Sequence, residues 1–256
     1  MGPVEQAERW SYELEAADPA EIIRWAVERF GDGLVIGSSF GRDGLVVIDM
    51  ARRWRPDIPV LFLETGYHFP ETLAFRDRLR EQWGVNVIDV RPARTVAEQD
   101  AAFGPTLYAR DPDACCTMRK VEPLQHALSG RSAWLTGVRR DQHAGRGTTP
   151  VVEWQELASG GRGLFKINPM VGWTRERIDA YSSAHHLPQH PLWAQGYPSV
   201  GCAPCTRPVG PGGAERDGRW AGTAKTECGI HLAGIQRSHP PAPPAEPRTR
   251  GPARAA

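Results

Sequence analysis

Apolar positions along the chain switch between two spacings. Glu21–Phe30 places Ile22, Ile23, Ala26, Val27 and Phe30 at helical intervals. Gly33–Ser39 (GLVIGSS) is instead a short continuous apolar run bounded by small residues, the pattern of a strand buried on both faces. The alternation continues with a helical pattern over Asp43–Trp54, an apolar run over Pro59–Glu64 and a helix over Pro70–Trp83 opened by its proline. Further strands are expected at Val85–Val90 and Ser132–Val138. Strand–helix–strand order with continuous apolar strands predicts an α/β fold, a mostly parallel sheet with helices on both faces. From about residue 137 the pattern weakens. Residues 139–166 are rich in Arg and Gly, Thr174–His186 reads as a helix, and 187–224 is rich in Pro and Gly with little regular structure expected. So long an irregular stretch in a compact domain is usually functional or disordered, and a cysteine pair within it favours function.

Composition narrows the class. Hydrophobic residues are 40% and charged residues 24%, ordinary for a soluble globular protein. Lys and Arg number 31 against 30 Asp and Glu, a formal net charge of +1. That balance argues against a nucleic-acid or membrane-surface binder. No apolar run reaches membrane-spanning length, and the polar N-terminus lacks the basic and apolar regions of a secretory signal, so a cytoplasmic protein is expected. Ser238–Ala256 holds six prolines, three arginines and no large apolar side chain. It is expected to be a disordered tail behind one domain spanning 1–237.

Two loops follow predicted strands at the edge where parallel sheets bind ligands. Gly37-Ser38-Ser39-Phe40-Gly41-Arg42-Asp43-Gly44 leads into a helix, so backbone N–H groups and the helix dipole favour an anion. Alone it is a weak signal, matching neither GxxxxGK[ST] nor GxGxxG. Glu64-Thr65-Gly66 forms a second loop on the same edge. Arg139, Arg140 and, a few residues on, Arg146 follow the fourth predicted strand, and their forked guanidinium groups suit phosphate or sulfate oxygens. Exposed arginines are also common as simple solvated surface.

Five cysteines in a reducing compartment call for a reason other than disulfides. Cys115 and Cys116 are adjacent, Cys202 and Cys205 form a CxxC, and Cys228 stands apart in KTECGIHL. Thioredoxin-like redox chemistry at the CxxC needs a helix that Pro208, Gly210, Pro211, Gly212 and Gly213 forbid. A vicinal pair is a poor chelate for one tetrahedral zinc ion. A [4Fe–4S] cluster takes one thiolate per iron, so adjacent cysteines can reach different corners. Asp113 is expected to cap the helix carrying the vicinal pair and Pro123 to end or kink it, with Arg119 and Lys120 one turn beyond the thiols. Arg207 follows the CxxC. Lys225 and His231 flank Cys228, and nearby cations raise a thiolate fraction; a lone thiol near a tail is otherwise commonly inert.

Taken in order, GSSFGRDG, LETGYHFPET, CCTMRKVEPL, TGVRRDQ, KINPMVGWTRERIDAY, VGCAPCTRPV and RWAGTAKTECGIHL resemble the thioredoxin-dependent adenylyl-sulfate reductases of bacterial sulfate assimilation, across roughly residues 35–232. The resemblance implies the adenine-nucleotide α-hydrolase-like fold, related to PP-loop enzymes, with a less regular C-terminal segment. It implies a [4Fe–4S] cluster on Cys115, Cys116, Cys202 and Cys205. It further implies that the Cys228 thiolate attacks the sulfur of adenosine 5′-phosphosulfate, and that thioredoxin or a similar dithiol releases sulfite. Substrate contacts are expected from Ser38, Ser39, Phe40, Gly41, Thr65, Gly66, Lys120, Arg139, Arg140, Arg207 and His231, with Lys120 linking cluster and substrate. The chain ends 28 residues after Cys228 without a thioredoxin-like domain, so an external reductant is expected. A homo-oligomer is neither required nor excluded. The alternatives are a 3′-phosphoadenylyl-sulfate reductase, which CC and CxxC disfavour, a dual-substrate enzyme, which they leave open, and a non-catalytic metal-bearing binding protein. A sulfurtransferase acting on tRNA would want a basic region that is absent.

Overall fold

The computed structural model describes residues 1–158 and 163–231, so the expected tail from Ser238 lies outside the described residues. In chain order the elements are α1 (Pro3–Leu14), α2 (Pro19–Phe30), β1 (Leu34–Gly37), α3 (Arg42–Arg52), β2 (Val60–Leu63), α4 (Pro70–Trp83), β3 (Val87–Val90), α5 (Val96–Phe103), α6 (Leu107–Arg110), α7 (Pro112–Cys116), α8 (Glu122–Leu128), β4 (Ala133–Leu135), β5 (Val152–Gln155), β6 (Leu164–Ile167) and α9 (Arg175–Ala184). Among the described residues no helix is long and apolar enough to cross a membrane.

The six strands of the described residues form one sheet in the order β3-β2-β1-β4-β6-β5, all parallel except the antiparallel edge strand β5. Alternation splits the core. Leu34 and Ile36 face one layer with α1, α2, α3, α4 and α9, while Val35, Leu61, Val90 and Trp134 face Leu124 and Leu128 of α8. The expected α/β fold, with a mostly parallel sheet covered on both faces, is thus what the chain forms. The chain leaves β1 for β2 on one side and returns to β4 on the other. This reversal opens a crevice at the carboxyl ends of β1 and β4.

The structure adds elements that the apolar pattern hides. α1 is amphipathic within an acidic, polar stretch, burying Ala7, Trp10 and Ser11. Strands β5 and β6 each carry a charge inside a four-residue run. Glu153 and Lys166 are register partners across the pair, and Lys166 Nζ donates to Glu153 Oε1 at 2.7 Å. Pro123 does not end the helix, which runs from Pro112 to Leu128 through a widened π turn at Thr117–Val121. A wider turn accommodates the missing N–H and the ring that would crowd a preceding carbonyl.

Trp10 packs edge-on to Trp25, Phe30 and Phe165, with centroids 5.2, 6.0 and 4.7 Å away. Trp10→Ala is expected to cost about 3–5 kcal/mol of unfolding free energy, read as a lower denaturant midpoint. An unchanged midpoint would show that α1 contributes nothing to the core.

Candidate active site

The loop after β1 shapes the crevice floor. Phe40 takes a left-handed backbone conformation (φ 56°), is fully buried and stacks on Phe62 at 5.4 Å. Its N–H donates to Ser38 Oγ at 3.0 Å. Gly44 in the first turn of α3 is needed for close approach, since a Cβ there would stand 2.3 Å from Ser38 Oγ. Gly41 supplies no side-chain cap, so the first turn of α3 offers N–H groups beside the crevice.

Ser38, Ser39, Gly41, Thr65, Lys120, Cys228 and His231 all line one cavity of about 200 Å³ above this floor. Arg42, Arg146, Arg216 and Arg219 also stand in its wall, against the acids Asp43, Glu215 and Glu227. The Nε groups of Arg42, Arg216 and Arg219, and Trp220 Nε1, are buried donors without a hydrogen-bond partner among the described residues. Such donors suit a polyanionic ligand that accepts from several directions.

Cys115, Cys116, Cys202 and Cys205 line a second, narrower cavity with Tyr67, Tyr108, Pro112 and Pro204. Lys120 and Cys202 belong to both walls. Backbone pairing between His68 and Cys202, and Ala203 N–H donating to Tyr67 O at 2.7 Å, fix the CxxC against the loop after β2. Thr65 Oγ1 stands 3.3 Å from Cys202 Sγ. Burial pushes the Cys115 thiol up to about 12, reinforced by Cys116, Cys202 and Cys205. Burial likewise pushes Cys116 up to about 11. Thiols so crowded lose their protons readily only when a cationic centre takes their place. Among the described residues no group of three or more His, Cys, Asp or Glu is arranged to hold a metal ion; the four cysteines share the lining of one cavity. A donor set of four thiolates fits an iron–sulfur cluster.

Arg119 and Lys120 lie in the π turn and are both buried. Arg119 Nε donates to Thr65 O and its Nη1 to Gln99 Oε1 at 3.1 Å, bracing the Thr65 loop. Burial works against the Lys120 charge, yet the thiols of Cys202, Cys116 and Cys228 hold its pKa above the ordinary lysine value. Lys120 therefore stays cationic between the thiol ring and Cys228.

The segment from Trp220 to His231 closes the cavity. Lys225 pairs with Asp113, and Glu227 with Arg146, His143 and Arg216. The His231 ring stacks on Trp134 at 5.7 Å, and its carbonyl accepts from Lys166 Nζ at 3.1 Å. Burial, then Lys166, Arg146 and Arg216, push His231 well below the usual imidazole value, so it is neutral at physiological pH.

Five expected ligand contacts fall elsewhere. Arg139 is fully buried, and its guanidinium forms ion pairs with Asp43 (2.7 Å), Glu215 (2.9 Å) and Asp141 (3.1 Å). Arg140 turns to the N-terminal region, donating to Glu15 at 2.5 and 3.0 Å and to Thr149 O at 2.9 Å. Arg207 is exposed and donates to Thr206 O at 3.1 Å. Phe40 is core, not wall. Gly66 (φ 75°) turns the second loop, its N–H donating to Glu64 Oε1 at 2.9 Å. The cap of α7 is Asp111, which accepts from Ala114 N–H at 2.9 Å, while Asp113 faces Lys225. Sequence reasoning missed Arg42, Arg216 and Arg219 as wall residues and left Arg146 out of the expected contacts. Arg216 and Arg219 could have been sought as paired charges in a Gly-rich stretch between the CxxC and Cys228.

Residues 33–208 match the family model described as the phosphoadenosine phosphosulfate reductase domain. The chain is 51% identical over 225 residues to an adenosine 5′-phosphosulfate reductase of Streptomyces coelicolor, covering 88% of this chain and 93% of that protein. A phosphoadenosine 5′-phosphosulfate reductase of Gloeobacter violaceus is 44% identical over 227 residues, covering 88% and 92%. Among solved structures, a phosphoadenylyl-sulfate reductase from Candida auris, in complex with phosphate, superposes with a TM-score of 0.67 at 29% identity, covering 79% of this chain and 96% of that one.

Replacing Arg139 with Met would strip the shared partner from Asp43, Glu215 and Asp141. The expected cost is about 3–5 kcal/mol, read as a fall of roughly 2–4 °C in melting temperature for each kcal/mol. A melting temperature equal to the parent's would contradict the structural role given to this guanidinium.

Proposed function

The chain belongs to the phosphoadenosine phosphosulfate reductase family, and from that membership we propose that it reduces adenosine 5′-phosphosulfate to sulfite and AMP for sulfate assimilation, with Cys228 as nucleophile and a thioredoxin-like dithiol as reductant. It is an oxidoreductase acting on sulfur, as its family is. The observation that carries the finer reading is the placement of Cys228 in the wall of the switch-point cavity, beside a lysine shared with the four-thiol ring.

The chemistry follows from charge. A thiolate approaching an anionic sulfo group is repelled unless cations surround both. Lys120, Arg216, Arg219, Arg146 and Arg42 share the cavity wall with Cys228, and the first turn of α3 begins in the same wall. The Cys228 thiolate forms a bond to sulfur as the sulfur–oxygen bond to phosphate breaks, and AMP departs with that bonding pair, stabilised by the same donors. Cys228 then carries an S-sulfonate. A thiolate of the dithiol attacks Cys228 Sγ and expels sulfite; its second thiol resolves the mixed disulfide and returns Cys228 as a thiol. The two electrons come from the dithiol, which ends oxidised.

Cys115, Cys116, Cys202 and Cys205 would hold the [4Fe–4S] cluster, which when bound supplies a fixed charge beside Lys120. Lys120 keeps its ammonium between the two cavities, and Arg119 keeps the Thr65 loop in place. The cysteine set favours the substrate without a 3′-phosphate. The phosphoadenosine-named relative keeps the 3′-phosphorylated nucleotide as the second reading.

Sulfite release from each nucleotide, with and without thioredoxin, tests this directly. Release is expected from adenosine 5′-phosphosulfate only when the dithiol is present. Without it, intact mass should show one sulfo group on Cys228. Cys228→Ser should abolish release by at least about a thousandfold, as loss of a covalent nucleophile does, with iron content unchanged. Release by the serine variant at the parent rate would overturn the mechanism. Removing iron with a chelator should suppress sulfo transfer; a colourless, zinc-loaded active enzyme would overturn the cluster.

A further inference from the structure

Glu227 precedes the nucleophile, and its carboxylate is the most heavily bonded group in the C-terminal segment. Oε1 lies 2.6 Å from Arg146 Nε and 2.7 Å from His143 Nε2, and Oε2 lies 3.2 Å from Arg216 Nη2. The side chain is largely buried. His143 Nδ1 accepts from Gly145 N–H at 3.0 Å, so Nε2 carries the proton and donates to Glu227. Arg216 Nη2 also donates to Thr226 O at 2.9 Å, clamping the peptide that leads into Glu227. Burial opposes ionisation, but Arg146 and then Arg216 and His143 hold the Glu227 carboxyl at about 2. The cations therefore face a full negative charge at physiological pH.

The other ties differ in kind. Lys225, its side chain 7% exposed, pairs with Asp113, whose side chain is 75% exposed, so that tie is open to water at its acidic end. His231 is held three residues beyond Cys228. Only Glu227 is both adjacent to the nucleophile and bonded to two different loops, the turn at Ala144–Arg146 and the stretch around Arg216.

We propose that Glu227 is the positioning residue that seats the Cys228 segment in the cavity wall, its carboxylate resting on Arg146, Arg216 and His143 while the segment is closed. The role rests on the reading of Cys228 as nucleophile. Seating also sets the charge that an incoming anion meets. Glu227 neutralises Arg146 and Arg216 in part, leaving Lys120, Arg219 and Arg42 as the wall's less encumbered cations. When the dithiol draws Cys228 outward, those two arginines regain their full charge.

The experiment uses the iron-loaded full chain and Glu227→Gln, which keeps shape and loses charge. Alkylation of Cys228 by iodoacetamide, followed by peptide mass spectrometry, reports seating without any substrate. It should accelerate about tenfold or more, the factor expected for losing a charge-assisted hydrogen bond, with visible absorbance unchanged. Single-turnover formation of the S-sulfonate should slow by a similar factor, while dithiol release of sulfite from a preformed S-sulfonate should not slow. Glu227→Asp should restore part of both effects. If Glu227→Gln does not fold, His143→Asn removes one donor and should give a smaller acceleration in the same alkylation assay. Alkylation at the parent rate in the folded variant overturns the seat. Faster alkylation in a protein whose parent forms no S-sulfonate keeps the seat and rejects the nucleophile reading.

Discussion

A single buried guanidinium organises the ligand-binding end of the sheet. Arg139, just past β4, binds Asp43 from the first turn of α3, Asp141 from its own turn and Glu215 from the C-terminal loops. Taking a guanidinium out of water is costly, and only several well-placed carboxylates offset it. The planar fork of arginine reaches three partners in a way a lysine point charge would not. The strand crevice, the anion-facing helix start and the irregular C-terminal stretch are therefore one unit. Burial pushes Asp43 up to about 6 even beside Arg139.

Arg139 also shows where sequence reading stops. Its proximity to a strand end correctly located it near the crevice, but charge alone could not distinguish a ligand contact from a structural hub. That depended on Glu215, 76 residues away. Arg140 is the same case, since Glu15 lies in a part of the chain that its composition left without an element. The elements that were legible had unbroken signals. Pro70 and Gly84 bracket α4 (Pro70–Trp83), and the apolar runs of β1 and β2 bear no charge. β5 and β6 were hidden because each charge finds its partner only across the strand pair, a relation that no local window contains.

The cysteines were legible for the opposite reason. Their grouping survives folding as four around one cavity and Cys228 at another, with Lys120 between. Spacing could not reveal the cationic partners, because Arg216 and Arg219 sit in loops whose course is set by Arg207 N–H donating to Gly218 O and Trp220 N–H to Cys205 O. The bond to Cys205 ties the arginine-bearing loop directly to the CxxC, and the one from Arg207 ties it just beyond.

The π turn between α7 and α8 has a last consequence, one of phase. One extra residue in a helix rotates everything beyond it by about 100° relative to an uninterrupted α-helix. On one side of the turn, Cys115 and Cys116 must look toward the thiol ring; on the other, Leu124 and Leu128 must look toward the sheet. A regular helix would couple those two orientations. The widened turn acts as a gear change between them. Deleting one residue there would rotate the thiol-bearing and sheet-packing faces out of mutual alignment while leaving those cysteines and leucines in place in the sequence.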